Sequence, residues 1–175
     1  MINSAMISML WTATVETLQM VGFATVLATI LGLPLGILLT TTAPKHILEQ
    51  PVLNRILGAI VNLGRSIPFI ILMVAIIPFT RRVVGTSIGT TAAIVPLTVA
   101  AIPFVARLVE GALREVDIGV IEAAESMGAS PPQIIRKVMI PEALPGLVLA
   151  ITLTAVNLVG YSAMAGAVGG GGLGD

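Results

Sequence analysis

The chain has 175 residues, of which 56% are hydrophobic and 10% are charged. Soluble globular proteins carry about 25% charged residues, so this composition excludes a protein whose whole surface faces water. Nine basic and nine acidic residues balance, which gives no indication of nucleic-acid binding. The absence of cysteine excludes disulfides, thiolate metal ligands and a cysteine nucleophile. Together these features indicate an integral membrane protein.

Apolar runs predict four membrane-crossing helices, because each run reaches the roughly 20 residues that a span needs. They cover residues 20–42, 56–79, 86–109 and 144–168, and a more polar lead-in precedes the first. Helices are expected because lipid offers no hydrogen-bond partner for the backbone of an open strand. The predicted fold is therefore all-α, a polytopic helical membrane protein that forms one transmembrane domain over residues 1–175.

The first span carries a small residue at every fourth position: Ala24, Ala28, Gly32 and Gly36. Such a face favours close packing against another helix, either of the same chain or of a second subunit. Prolines are expected to bend the spans, at positions 34, 68, 78, 96 and 103. These bends are compatible with a pathway that opens and closes, and equally with static kinks.

The distribution of Lys and Arg predicts the orientation. With four crossings, the 43–55 loop and the 107–143 segment share one side, which holds six basic residues against two on the other. This difference places the 107–143 segment in the cytoplasm and the N-terminus outside. Arg65, near the cytoplasmic end of its span, is not counted; it either snorkels to the interface or pairs inside the bundle.

Two further charged features are expected to be structural or inert. Arg107, Glu110 and Arg114 are spaced three and four residues apart, which predicts that the third helix continues into the cytoplasm with an ion-pair ladder on its surface. Such a ladder contributes a few tenths of a kcal/mol per pair. His46 is the only histidine and lies in a short loop, where we expect it to be solvated.

Residues 122–141, EAAESMGASPPQIIRKVMIP, form a charged, turn-containing segment between apolar runs. Residues 119–127 predict a short helix with one apolar stripe, formed by Val120, Ala123, Ala124 and Met127. Gly128 is expected to end it in a left-handed conformation. A second helix should follow, with Ser130 as its cap, Pro131 in its first position and Gln133 completing a capping box.

An amphipathic helix-turn-helix on the cytoplasmic side suits the docking of a soluble partner. The alternative is a helix that lies on the lipid surface. This alternative fits less well, because Glu122 and Glu125 would then face anionic headgroups. We therefore interpret the segment as a docking site.

The order of Glu122, Ala123, Ala124, Gly128 and Pro141 resembles the EAA loop of ABC-importer permeases. Val138 and Ile140 stand where that family usually has Ile and Leu. Three further stretches are similar to the membrane permeases of methionine ABC importers: RSIPFIILMVAIIPFTR at 65–81, VGTSIGTTAAIVPLTVAAIPFVAR at 84–107 and GYSAMAGAVGGGGLG at 160–174. The resemblance thus covers most of residues 50–175.

The resemblance implies a homodimeric pore in the bacterial inner membrane, two cytoplasmic ABC ATPase subunits and an external substrate-binding lipoprotein. It implies inward transport of methionine, as the L- and D-forms, by alternating access. ATP hydrolysis would belong to the partner, so the chain would be no enzyme and would need no cofactor or metal of its own. Membrane lipid is an expected contact and nucleic acid is not.

The resemblance also implies site residues. Within a coupling loop at about 117–141, the implied ATPase-coupling residues are Glu122, Ala123, Ala124, Met127, Gly128, Ala129 and Pro141. The implied lining of the translocation pathway is Tyr161, Ser162, Ala163, Met164 and Gly166.

Two questions stay open. The family has five spans, so a chain with four is expected to be a fragment or a truncated product that lacks the last one. Other functions also remain: a permease for another amino acid or small solute, or a membrane anchor or regulatory subunit that transports nothing.

Overall fold

Helices and their connections make up the part of the chain that the computed structural model describes, residues 4–175. In chain order they are α1 (Ser4–Thr41), α2 (Pro51–Ser66), α3 (Phe69–Ala75), α4 (Ile77–Val84), α5 (Thr90–Arg114), α6 (Ile118–Ser126), α7 (Pro131–Ile134), α8 (Ile140–Glu142) and α9 (Leu144–Ala165). A π-helical turn, Ile135–Met139, joins α7 to α8. A kinked turn, Gly166–Gly170, follows α9, with non-helical backbone angles at Val168 and Gly169. The all-α prediction is confirmed.

α1 is longer than predicted, because the polar lead-in and the first span form one helix of 38 residues. At 1.5 Å per residue this helix is about 57 Å long, well beyond the roughly 30 Å of hydrocarbon in a bilayer. No proline or glycine interrupts it before Gly22. Threonine hydroxyls in this helix donate to the backbone carbonyl four residues earlier, as Thr12 does to Ser8 at 3.0 Å.

The small-residue face of α1 packs against α5, which confirms close packing against another helix of this chain. Ala24 and Ala28 are fully buried. A Cβ added at Gly32 would lie 2.7 Å from the Cβ of Val105, and one added at Gly36 would lie 2.6 Å from the Cβ of Val109. Only hydrogen at these two positions allows the backbones to come so near.

The second predicted span, residues 56–79, is wrong as a single helix. α2 ends at Ser66, Ile67 is extended with φ −82° and ψ 122°, and α3 begins after Pro68 at an angle of 100° to α2. The ring of a proline disfavours helical geometry at the residue before it, so the chain breaks here rather than bends. Pro78 lies in the first turn of α4, where its missing N–H costs nothing.

α5 and α9 correspond to the third and fourth predicted spans. α5 begins four residues later than predicted and runs through to Arg114, with Pro96 and Pro103 inside it, so the helix continues beyond the predicted span as expected. Together with α1 and residues Leu144–Gly170, it makes three helices long and apolar enough to cross a membrane. Counting the broken pair α2 and α3 as a span gives four.

The ion-pair ladder at the end of α5 is centred on a buried carboxylate, which differs from the predicted surface ladder, while Arg114 stays exposed. Glu110 is 3% exposed and accepts from Arg107, while the guanidinium of Arg114 lies 2.6 Å from its other oxygen. Arg107 also donates to the carbonyl of Gly58 at 3.1 Å and to Asn62 at 2.9 Å. Arg107 therefore links α5 to α2. The predicted ladder involved contacts within α5 alone.

The glycine-rich turn after α9 is held against α1. The N–H of Gly172 donates to a carboxylate oxygen of Glu16 at 2.8 Å, and that of Leu173 donates to Thr17 at 3.0 Å. Gly169, Gly171 and Gly172 all have positive φ, which residues with side chains rarely adopt.

Candidate coupling segment and intramembrane cavity

α6 forms where the docking helix is predicted, at Ile118–Ser126. Asp117 caps it, accepting from the N–H of Gly119 at 2.6 Å. Gly128 has φ +80°, as expected for a left-handed helix end. The N–H of Ala129 then reaches back to the carbonyl of Ala124 at 3.1 Å, which closes the turn.

The second half of the segment is helical but irregular. Pro131 opens α7, and Gln133 accepts from the N–H of Ser130 at 2.9 Å. The following turn, Ile135–Met139, is π-helical. Pro141 accounts for this widening, because it has no N–H for the carbonyl of Lys137 and its ring would clash with that carbonyl in an α-helix.

The predicted apolar stripe of α6 divides into two faces. Ala124 is 4% exposed and joins Ile121 in the hydrophobic core with Leu113 and Met139. The three other members of the stripe remain uncovered: Val120, Ala123 and Met127. We call these three residues the exposed ridge. Met127 is 81% exposed, so a large apolar side chain stands free on a segment outside the predicted spans.

The remaining coupling residues differ in their exposure. Glu122 and Gly128 are exposed and Ala129 is half-buried. Pro141 is exposed and lies two residues before Ala143, which is buried in the core. The structure therefore places all of the predicted residues on one continuous segment, with one of them, Ala124, turned away from solvent.

His46 lies against α6, rather than free in solvent as expected. A cavity of 130 Å³ is lined by His46, Lys45, Ile121, Glu122 and Glu125. Burial lowers the pKa of His46; the carboxylate of Glu125 raises it in part, and the guanidinium of Arg114 lowers it further. No local pattern predicts this contact, because it depends on how the 42–50 loop folds back.

The residues predicted to line a pathway point in several directions around α9. Ser162 and Gly166 are buried, Ala163 and Met164 are exposed, and Tyr161 lines a polar cavity. This cavity has a volume of 230 Å³ and lies between α2, α3, α5 and α9. Arg65, Phe69, Phe104 and Asn157 also line it.

The position of the cavity along α5 follows from the contact between Gly64 and Pro103. A Cβ added at Gly64 would lie 3.1 Å from Pro103, so Arg65 stands beside the Pro103 turn of α5, one turn outward from Arg107. Sequence reasoning singled out Arg65 but missed Phe69 and Asn157. A polar Asn inside an apolar run was the one local signal available.

Comparisons with known proteins identify the family. Residues 32–175 match the family described as "Binding-protein-dependent transport system inner membrane component". The chain belongs to this family. It is accordingly a multi-pass integral membrane protein of a binding-protein-dependent transport system.

Members of the family include close relatives of this chain. It is 64% identical over 167 residues to the "Probable D-methionine transport system permease protein MetI" of Vibrio cholerae, covering 95% of this chain and 74% of that one. It is 57% identical over 151 residues to the "D-methionine transport system permease protein MetI" of Escherichia coli, covering 86% of this chain and 70% of the other.

A solved structure described as "Inward facing conformations of the MetNI methionine ABC transporter" superimposes with a TM-score of 0.97 at 57% identity. The match covers 98% of this chain and 80% of that one. A more distant structure of "an amino acid ABC transporter with histidines" has a TM-score of 0.76 at 18% identity, which shows a shared fold alone.

Proposed function

We propose that this chain is the permease subunit of an ABC importer that carries methionine inward, driven by ATP hydrolysis on a separate cytoplasmic ATPase. The proposal rests on family membership and on the cargo that the named relatives carry. Among the structural observations, the one that carries it is the exposed ridge of Val120, Ala123 and Met127, beside an adjacent face of the same segment that is packed into the hydrophobic core through Ile121 and Ala124.

The two faces of α6 suit the transmission of force. A partner groove would hold the exposed ridge, and burial of Met127 would supply much of the contact. Ile121 and Ala124 attach the same helix to the core through close packing, which is stiff. A displacement of α6 by the ATPase would therefore move the spans and not only the loop.

The complete transporter in this proposal contains two copies of the chain, two ATPase subunits and an external substrate-binding lipoprotein, in the bacterial inner membrane. When the ATPase subunits close on ATP, the paired coupling segments approach each other and the spans change from inward-open to outward-open. Hydrolysis restores the inward-open state. The chain itself supplies the pathway, and its proposed lining consists of Tyr161, Ser162, Ala163 and Met164 on α9 and Gly166 directly after it.

Met127→Asp tests the docking role. A charge in the middle of the exposed ridge would have to be buried without a partner, so we expect loss of ATPase co-purification and of ATP-driven methionine uptake. Because Met127 is 81% exposed, the variant should still fold and insert. Ser126→Asp is the matched control, since Ser126 is exposed on another face of the same helix and gains the same charge.

The outcomes separate the alternatives. Loss in Met127→Asp with retention in Ser126→Asp supports docking through the ridge. Unchanged ATPase binding and uptake in Met127→Asp would contradict it. A wild-type complex that binds the ATPase but moves no methionine would favour another cargo or a non-transporting regulatory subunit.

A further inference from the structure

The polar cavity between α2, α3, α5 and α9 contains three polar groups that the fold does not use. They are the guanidinium of Arg65, the amide of Asn157 and the hydroxyl of Tyr161. Within residues 4–175, none of the three has a hydrogen-bond or ion-pair partner. Arg107, one turn further inward, shows the contrast, because all of its bonds are to this chain: Gly58, Asn62 and Glu110.

Arg65 is exposed in this chain, and Asn157 and Tyr161 are half-buried, so the three groups line an accessible cavity. Within a membrane-spanning segment an Arg costs roughly 2.5–3.5 kcal/mol on insertion scales. Such residues therefore tend to mark ligand or ion pathways. The broken connection between α2 and α3 brings Arg65 to the cavity, because α2 ends at Ser66 and the chain turns by 100°.

The lining has the chemistry of an amino-acid site. A guanidinium can hold a carboxylate through two parallel N–H···O bonds, which suits an α-carboxylate. The amide oxygen of Asn157 and the hydroxyl oxygen of Tyr161 can accept from an ammonium group. Phe69 and Tyr161 stack with their ring centroids 4.6 Å apart and their planes 6° from parallel. A thioether packs favourably against such rings.

The size also fits. The cavity holds 230 Å³, slightly below the roughly 300–1,000 Å³ of drug-sized ligand pockets, as expected for a single small molecule. Phe69 is 5% exposed and fixed in the core, so the aromatic wall is preformed.

We propose that this cavity is a cargo-binding subsite of the permease, in which Arg65 holds the α-carboxylate of an amino acid and the Phe69–Tyr161 pair contacts its apolar side chain. This inference rests on the proposed function and deepens it, since it assigns cargo recognition to this chain. Arg65 acts as the residue that distinguishes a free carboxylate from a neutral group.

Photolabelling tests the subsite in the assembled permease–ATPase complex in lipid nanodiscs. The probe is a diazirine analogue of methionine, and labelled peptides are mapped by mass spectrometry. We expect labels near Phe104, Asn157 and Tyr161, with protection by excess methionine. Methioninamide, which lacks the carboxylate, should protect roughly 10- to 100-fold less well, the factor expected from a hydrogen-bonded charge pair.

Arg65→Gln should reduce labelling and make methionine and methioninamide protect equally. Arg82→Gln is the matched control, because Arg82 is an exposed arginine at the end of α4, away from the cavity. Arg65→Lys separates charge from geometry and should restore part of the preference for methionine, since Lys has a charge but no planar fork.

The results distinguish this inference from the proposed function. Labelling elsewhere, or an unchanged preference in Arg65→Gln, would overturn the subsite while methionine uptake by the wild type continued. Labelling that excess methionine does not reduce would likewise overturn it, because lipid or another anion would then occupy the cavity. Absence of methionine uptake by the wild-type transporter would instead overturn the proposed function.

Discussion

At the scale of single residues, Glu110 is a buried carboxylate between two arginines. It is 3% exposed and holds both Arg107 and Arg114. We expect Glu110→Gln to lower the free energy of unfolding by about 2–3 kcal/mol. Breaking a buried ion pair usually costs roughly 3–5 kcal/mol. We expect a smaller loss here, because the Arg114 side chain is 57% exposed and can rehydrate.

Heating followed by size-exclusion chromatography in detergent measures this effect as a lower midpoint temperature. Glu115→Gln provides the control, since Glu115 is exposed and lies on the same helix end. Equal midpoints for the two variants would show that the buried group adds no more than surface charges do.

His46 predicts a pH dependence at the same scale. Burial lowers its pKa in the folded protein below the ordinary 6.5, so the folded state resists protonation. As pH falls through 6.5 the unfolded state takes up a proton first, and the folded protein loses stability; above that pH the group contributes nothing to the pH slope.

The wild type should therefore lose more thermal stability than His46→Gln between about pH 7.5 and about pH 5.5. Other titrating groups contribute alike to both proteins, so the difference between the two isolates His46. A wild-type loss equal to or smaller than that of the variant would contradict the half-buried site beside α6.

At the scale of elements, the interface between α1 and α5 depends on missing side chains. A Cβ at Gly36 would lie 2.7 Å from the carbonyl oxygen of Ala106, which is backbone and cannot move aside easily. Gly36→Val should therefore lower the free energy of unfolding by about 1–3 kcal/mol. The thermal midpoint measures the loss.

Gly22→Val is the control on the same helix, because a Cβ at Gly22 meets nothing within 4 Å. It should leave the midpoint unchanged or raise it, since valine restricts the unfolded chain more than glycine does. If Gly22→Val were as harmful as Gly36→Val, the cause would be valine in a helix and not the contact with α5.

At the scale of the whole molecule, local signals predicted most of the elements and few of their contacts. Gly128 and Pro131 gave the end of α6 and the start of α7, because helix termination and capping depend on neighbouring residues. The 100° break at Pro68 was predicted only as a bend, since its angle depends on what α2 and α3 pack against.

Burial was harder to predict than helix formation. Ala124 and Met127 belong to one apolar stripe by sequence, yet the first is 4% exposed and the second 81%. The spacing shows that both lie near one face, but the core decides which of them is covered. The same applies to the cavity, where Arg65 and Tyr161 are 96 positions apart in sequence and only the packed helices bring them together.

The orientation of the chain in the membrane can be tested by labelling single cysteines. The chain contains no cysteine, so a single introduced thiol reports the side on which it lies. The charge distribution places Met127 in the cytoplasm and Thr86 outside. A membrane-impermeant maleimide should therefore label Thr86→Cys in intact spheroplasts, and Met127→Cys only in inverted vesicles; the cysteine-free parent reports background.

Labelling from the opposite sides would invert the orientation and separate the exposed ridge from any cytoplasmic ATPase. The same variants also connect topology to coupling. If the ridge is the docking surface, co-expression of the ATPase should slow modification of Met127→Cys in inverted vesicles without affecting Thr86→Cys in spheroplasts. Unchanged labelling of Met127→Cys in a stable complex would mean that the ATPase binds elsewhere on the cytoplasmic face.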